Sequence, residues 1–512
     1  MPESDLTVDA VIIGAGHNAL IAAAYLAKAG LEVVALEAKP IIGGNTVTEE
    51  LMLDGWQHDS CSSAHAMIQS NPVLRDDELG LLSEYGLRYV YTEPAAVLPL
   101  DDGDSFVLHR SVSATAEEIA RFSQRDAARF LEMFEEWNAM KAAHRRWNAG
   151  QPIGTDSAAV AYAEMRQQTA WDVVHKNFEH EVTRRVLSWM GFASFQPPTR
   201  IGTGILPISI TSGRLEFGWA TPIGGSGALP EALAELITAH GGQILVNSAV
   251  SRIITSGGRA VGVETTDGRR ITARSAVVSS AHLATLPEML GTDATEDLKE
   301  AAAEWRPGLA LFAVHAALRQ DVRYHVRGEL VTSTSGGLGS PEGTMRQIEG
   351  CATGHPETAD PWMLLISSTA VDPDRAPGGG GTFKILTCAP QTLASGESWE
   401  EYGPRHAAHL LAIAGRHVAG LDEASVLATV HETPSSLSKR NIHNIGGSCH
   451  GGEFLLPSGE YVPGMPSATL VKGLYLTGST AHPGGSVTGW PGRNAARAVL
   501  SATGIDPSTV MS

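Results

Sequence analysis

The apolar positions near the start of the chain fall into three blocks. Val8 to Ile13 is a short apolar, β-branched run, which predicts a strand buried on both faces. Asn18 to Ala29 is rich in alanine and leucine and predicts a helix, with Gly30 suited to its C-terminus. Leu31 to Leu36 predicts a second buried strand that ends at Glu37. Strand, helix and strand within roughly 30 residues form one β-α-β unit.

The pattern changes further along. Ile119, Phe122, Phe130, Phe134, Trp137 and Met140 recur at near-helical spacing, and Thr115-Ala116-Glu117-Glu118 fits a capping box ahead of them. The opposite face carries six acids and six bases between Glu117 and Arg146. That balance favours a surface helix packed on a core over a membrane-facing or substrate-gating one. Ala158 to Trp189 predicts more helix, and Pro197-Pro198 and Pro207 mark a break. Residues 80 to 215 therefore read as a largely helical insertion.

From 221 to 285 the signal is glycine loop, helix (Leu229 to His240), strand (Gln243 to Val246) and a small meander over Ser251 to Ile254, Ala260 to Thr265 and Arg270 to Ala273. Ser275 to Ser280 predicts another buried strand. Strands at Ala310 to Leu318, Trp362 to Ser368 and Thr382 to Cys388 precede a helix from about Trp399 to Ala419. The end predicts a strand over Gly473 to Gly478 and a helix from near Pro491 to about Thr503, closed by Gly504.

Composition narrows the function classes. A length of 512 residues implies two domains, and a net charge of −19 disfavours nucleic acid as a partner. Glu3 and Asp5 stand where a signal peptide would be basic, and no apolar run is long enough to span a membrane. A cytoplasmic location is the expectation, and peripheral membrane contact stays open. Cys61, Cys351, Cys388 and Cys449 are far apart and form no C-x-x-C pair, so no disulfide-reductase centre or zinc ribbon is expected.

The candidate chemistry lies at the two ends. Gly14-Ala15-Gly16-His17-Asn18-Ala19 follows the first strand directly. Gly14 permits the tight turn, and Gly16 lets backbone approach a pyrophosphate that the helix N-terminus favours. Ala19 takes the third position, an accepted variant, and Glu37 stands where a carboxylate accepts from an adenosine ribose. Gly225 to Pro230 imitates a second fingerprint, but proline takes its third glycine position and no buried strand precedes it.

Four blocks, VIIGAGHNAL, LEAKPIIGGNTVTEE, TPIGGSGALPEAL and GLYLTGSTAHPGGSVTGWPGRNAA, resemble the flavin amine-oxidase and phytoene-desaturase superfamily. The resemblance is strongest to the branch of bacterial carotenoid desaturases and pyridine nucleotide-disulfide oxidoreductase domain-containing protein 2. It implies an α/β fold, with a discontinuous Rossmann-like FAD-binding domain over 1–80, 216–300 and 441–512. An interleaved α+β substrate domain would occupy 81–215 and 301–440. FAD is the implied cofactor. By position, Gly14, Gly16, His17, Asn18 and Glu37 would hold its adenosine and pyrophosphate. Gly43, Gly44 and Asn45 would approach the pyrophosphate and isoalloxazine, and Val250 would pair with adenine through its backbone. Gly478, Thr488, Gly489, Trp490, Arg493 and Asn494 would close over the ribityl chain and pyrimidine end, where a helix N-terminus suits the charge of a reduced flavin.

His482 and His450 are the candidate catalytic groups, each a base or a hydrogen-bonding partner. A metal site from His443, Cys449 and His450 is disfavoured, since neighbours on an extended segment point oppositely. His58, Asp59 and His65 are weaker candidates. The expected activity is dehydrogenation of an apolar small-molecule substrate by hydride transfer to flavin N5. Electrons would enter from that substrate and not from NAD(P)H, with oxygen and a quinone both open as final acceptor. The alternatives are a carotenoid-isomerase-like enzyme without net redox change and a non-catalytic, FAD-stabilised interaction protein.

Overall fold

The structure is a computed structural model that describes residues 6–453 and 471–511, so Glu3 and Asp5 lie outside the described residues. Strand Leu6–Ile13 runs through a seven-stranded sheet, parallel to Val33–Leu36 on one side and Arg270–Ser279 on the other. Both faces are covered. Ala10 and Ile12 pack beneath helices, while Val11 and Ile13 pack against the opposite layer. A strand buried on both faces has no polar phase, which is why its sequence does not alternate.

Helix His17–Lys28 is buried from Asn18 through Ala27, because helices Ala228–Ala239 and Trp490–Thr503 flank it. With neighbours on three sides it needs no polar stripe. The sequence reading splits 270–280 into two strands. The structure has one strand, Arg270–Ser279, that changes partner half way. Its first half pairs antiparallel with Arg259–Thr265, and its second half pairs parallel with Leu474–Leu476. This strand therefore brings the C-terminal block beside the glycine turn.

A second seven-stranded sheet runs in the order Val426–Glu432, Ala310–Leu318, Gly381–Ala389, Met363–Ile366, Ser335–Leu338, Ala96–Pro99, Ser105–Leu108. The last two strands lie within the 80–215 stretch read as a largely helical insertion, and were not predicted. All eight of their residues are buried, with Leu98 and Phe106 facing one core and Val97 and Val107 the other. Such short, fully buried strands carry no alternating signal. Helices Val112–Ala120, Gln124–Asn148, Ser157–Arg166, Ala170–Asn177, Glu181–Phe192 and Leu206–Phe217 follow.

The expected capping box at Thr115 is not one. The helix begins a turn earlier, with Ser111 accepting from the Ala114 amide. Thr115 sits inside the helix and ties its hydroxyl to both backbone groups of His109. The apolar spacing from Ile119 to Met140 spans two helices, because Ser123 caps a new one. The helix from Trp399 stops at Gly415, and Val418–Ala419 turns into a strand paired with Arg323 and Tyr324. Among the described residues, no helix is long and apolar enough to cross a membrane.

Candidate functional site

The site starts at the turn after the first strand. The Gly14 amide donates to the Leu36 carbonyl (2.7 Å), pulling the two parallel strands together at their C-terminal ends. Gly14 has φ +87°, and a Cβ there would lie 2.3 Å from Ser280 Oγ. Any side chain would therefore close the crevice. The Glu37 carboxylate accepts from the Ala15 amide (2.8 Å) through one oxygen and from the Lys39 amide (3.0 Å) through the other. The Gly43 amide donates to the Ala15 carbonyl (2.8 Å), so 43–44 lies beside the first turn.

These segments wall a long cavity of about 480 Å³, within the usual range of ligand sites of roughly 300–1,000 Å³. Gly14, Gly16, His17, Asn18, Glu37, Gly43, Gly44, Asn45, Val250 and Gly478 all line it, as does His450. The cavity fits FAD on three observations. A Cβ at Gly16 would meet nothing within 4 Å, so the helix N-terminus faces open space. Among the described residues, Asn18 Oδ1 is buried there with no hydrogen-bond partner. Burial also holds the His17 ring down to about 4, so it is neutral at pH 7.

Past the turn, the cavity floor is a side-chain amide cluster. Asn45 donates to Asn444 Oδ1 (2.7 Å) and accepts from Asn441 (3.0 Å), which pins residues 441–444 beneath it. His450 stands 5.0 Å from the Phe195 ring, and burial lowers its pKa to about 4. Beyond it the walls turn apolar, with Phe195, Trp219, Leu311, Leu364, Ile366 and Leu386. The cavity thus joins a polar, glycine-lined end to an oily one.

Several expected residues lie elsewhere. His482 is not in the cavity wall: its Nε2 sits 2.5 Å from the Trp147 carbonyl and its ring packs edge-on against Trp147. Trp490 and Arg493 line a different pocket, on the far side of helix Trp490–Thr503. Arg493 forms a two-pronged, buried ion pair with Glu78 (2.6 and 2.8 Å). Asn494 donates to the Asn148 carbonyl, and the Thr488 carbonyl accepts from Asn71. Gly489 packs on Ile21 and Ile68. The reason is rotational. The segment just before the helix, Gly485 to Val487, faces the cavity, and the helix then turns its first side chains toward helix His17–Lys28 and Glu78.

Asp59 and His65 build a hydrogen-bonded scaffold, while His58 packs edge-on against His315 (5.7 Å between ring centres). Asp59 pairs with the buried Arg375 (2.9 Å) and accepts from Thr48 and the Ser226 amide. His65 bridges Tyr89 (2.9 Å) and Ser226 (2.8 Å). Sequence reasoning missed Lys384, whose buried ammonium donates to the carbonyls of Asp59 (3.0 Å), Ser60 (3.2 Å) and Cys61 (2.6 Å). Its signal was a lone lysine inside an apolar strand, which needs a partner when buried. The fold also overturns the separateness of the cysteines. Cys61 and Cys449 both line the cavity, and the Cys449 thiol also donates to the Gly447 carbonyl (3.8 Å). The neighbouring Cys449 thiol, assisted by Lys384, holds the Cys61 thiol below its usual range. Among the described residues, no group of three or more His, Cys, Asp or Glu converges in a way that would hold a metal ion.

Comparison with known proteins agrees with this geometry. A limonene dehydrogenase subunit of Castellaniella defragrans is 27% identical over 535 residues, covering 97% of this chain and 95% of that protein. Phytoene desaturase (lycopene-forming) of Pantoea ananas is 24% identical, covering 96% of this chain and 98% of its own. Wild-type putrescine oxidase bound to putrescine has the same fold, with a TM-score of 0.65 at 16% identity over 98% of this chain and 100% of that one. Residues 20–381 match the family model for flavin containing amine oxidoreductase. By that match, over more than half of its length, the chain belongs to the flavin-containing amine oxidoreductase family and is an FAD-dependent oxidoreductase.

Proposed function

We propose that the protein dehydrogenates an apolar small-molecule substrate, with the hydride delivered to N5 of FAD. In this reading residues 1–80, 216–300 and 441–512 carry the cofactor, and 81–215 and 301–440 carry the substrate. One observation supports it most: a single cavity joins the fingerprint to a compartment walled by Phe195, Leu311, Leu364, Ile366 and Leu386. When bound, FAD supplies a two-electron acceptor. The chain's own part is to bind, orient and exclude water. The apolar wall orients a hydrocarbon body and disfavours water along most of its length. His450, neutral at pH 7 and facing the compartment, is positioned to accept a proton or a hydrogen bond from the substrate. His482 is withdrawn from that role by its bond to Trp147. Two relatives named for a terpene and a polyene support an apolar substrate class.

The test is anaerobic titration of the yellow holoenzyme with terpenes and polyenes, beginning with limonene. An apolar C–H donor should bleach the flavin band, and NADH or NADPH at about 1 mM, the top of the usual KM range, should leave it oxidised. Rapid bleaching by a nicotinamide would overturn the reading, and the Cys61–Cys449 pair would then become the first place to look for a relay.

A further inference from the structure

The oily end of the cavity holds one feature that an all-hydrocarbon ligand does not explain. Arg214, on helix Leu206–Phe217, lines the cavity. Its guanidinium lies 4.0 Å from the centre of the Trp219 ring. Its Nη1 is shut off from solvent and has no hydrogen-bond partner. The Trp219 indole Nε1, in the same wall, is likewise buried and unpartnered. Among the described residues no carboxylate compensates: the cavity's acids are Glu37, at the glycine turn, and Glu288, on the short helix packed against strand Val250–Ser256. Burial alone pulls the Arg214 pKa down, to about 10, which leaves the group charged at pH 7.

Other arginines of the chain show what is missing. Arg375 and Arg493, both buried, each face a carboxylate through paired hydrogen bonds, whereas Arg214 is half-buried and only its Nη1 is closed off. A buried guanidinium normally has such a partner, because stripping a cation of water costs several kcal/mol unless another charge replaces it. An orphaned indole donor carries its own cost. Two neighbouring donors in the wall of a ligand cavity, unpartnered among the described residues, mark a place for an anion.

We propose that Arg214 and Trp219 form an anion subsite, and that the substrate is an apolar molecule bearing one carboxylate-type group. The inference rests on the apolar compartment described above and adds a polar end to it. The guanidinium accepts a carboxylate geometrically, two N–H groups to two oxygens, and the indole N–H supplies a third donor. The cation over the indole face is held by the ring, so the subsite is pre-set before ligand arrives.

Calorimetric titration of the holoenzyme with octanoate and with octanol tests this, because the two probes share a chain and differ in charge. Octanoate should bind the wild type about tenfold or more tighter than octanol. Arg214→Met should remove that preference while leaving octanol affinity and flavin content unchanged. Trp219→Phe, which keeps the ring and deletes the N–H, should weaken octanoate several-fold and spare octanol, and it serves if the arginine variant does not fold. Octanol binding as tightly as octanoate would overturn the anion subsite and leave the apolar compartment standing. Failure of both probes to bind the yellow protein would overturn the compartment itself. Loss of flavin in Arg214→Met, or a preference that survives it, would show that Arg214 serves the cofactor or the fold instead.

Discussion

Glu37 spends both carboxylate oxygens on backbone amides, those of Ala15 and Lys39, and still borders the cavity. It therefore shapes the glycine turn and keeps lone pairs free for the ribose hydroxyl that we propose it binds. Glu37→Arg should lower FAD affinity by about ten- to a hundredfold, since charge-assisted hydrogen bonds of about 1.5–3 kcal/mol are exchanged for a cation. The flavin-to-protein absorbance ratio after gel filtration reads this directly, and an unchanged ratio would contradict the role given to Glu37. This residue was legible because its function depends on spacing along one β-α-β unit. Arg214 and Lys384 were not. Each is a single cation among apolar neighbours, and what it faces is decided by distant parts of the chain, such as Leu311 for Arg214 and Cys61 for Lys384.

At the scale of elements, the contact between helices His17–Lys28 and Trp490–Thr503 holds the fingerprint in place. Gly492 makes it possible: a Cβ there would lie 2.3 Å from the Asn18 carbonyl and 2.9 Å from Ile21 Cβ. Gly492→Ala must push the helices apart and should cost about 1–3 kcal/mol, as overpacking does. Because Asn18 opens the helix that faces the cavity, flavin occupancy should fall as well. Urea unfolding of the holoprotein with flavin release followed in parallel measures both, and a variant with wild-type midpoint and colour would refute this coupling. The types of the long elements could be read from periodicity and glycine placement. Their joints could not. Residues 270–279 change partner in mid-strand, and Ser123 divides what spacing alone reads as one helix.

At the scale of the molecule, burial silences a set of histidines. His58, His65 and His282 are almost wholly buried, and desolvation is the first cause that lowers each to about 3 from 6.5. Their folded pKa values are depressed, so the unfolded chain binds more protons below pH 6.5. Stability is therefore complete above about 6.5 and is lost as pH falls toward 3. Each ring contributes up to about 1.4 kcal/mol per pH unit inside that window. Urea midpoints measured from pH 8 to 4.5 should stay level above 6.5 and drop steeply below it. Replacing His282 with glutamine should make the slope shallower, and an identical slope would show that this ring takes no part in it.

Two kinds of information meet in this protein. The β-α-β unit, its glycine turn and its acid are local, because the turn, the helix start and the ribose acceptor lie within one short stretch and glycine geometry leaves few alternatives. That the fingerprint residues would line one cavity was therefore readable from the chain, and Gly43, Gly44, Asn45 and Gly478, added by the family resemblance, line it too. What faces what was decided only by tertiary structure. Helix rotation turned Trp490 and Arg493 away, the Trp147 carbonyl claimed His482, strand 381–389 carried Lys384 under Cys61, and packing brought Cys61 to Cys449. Linear spacing holds no record of these encounters, because each depends on the direction of a side chain and on partners set by the packing of two sheets.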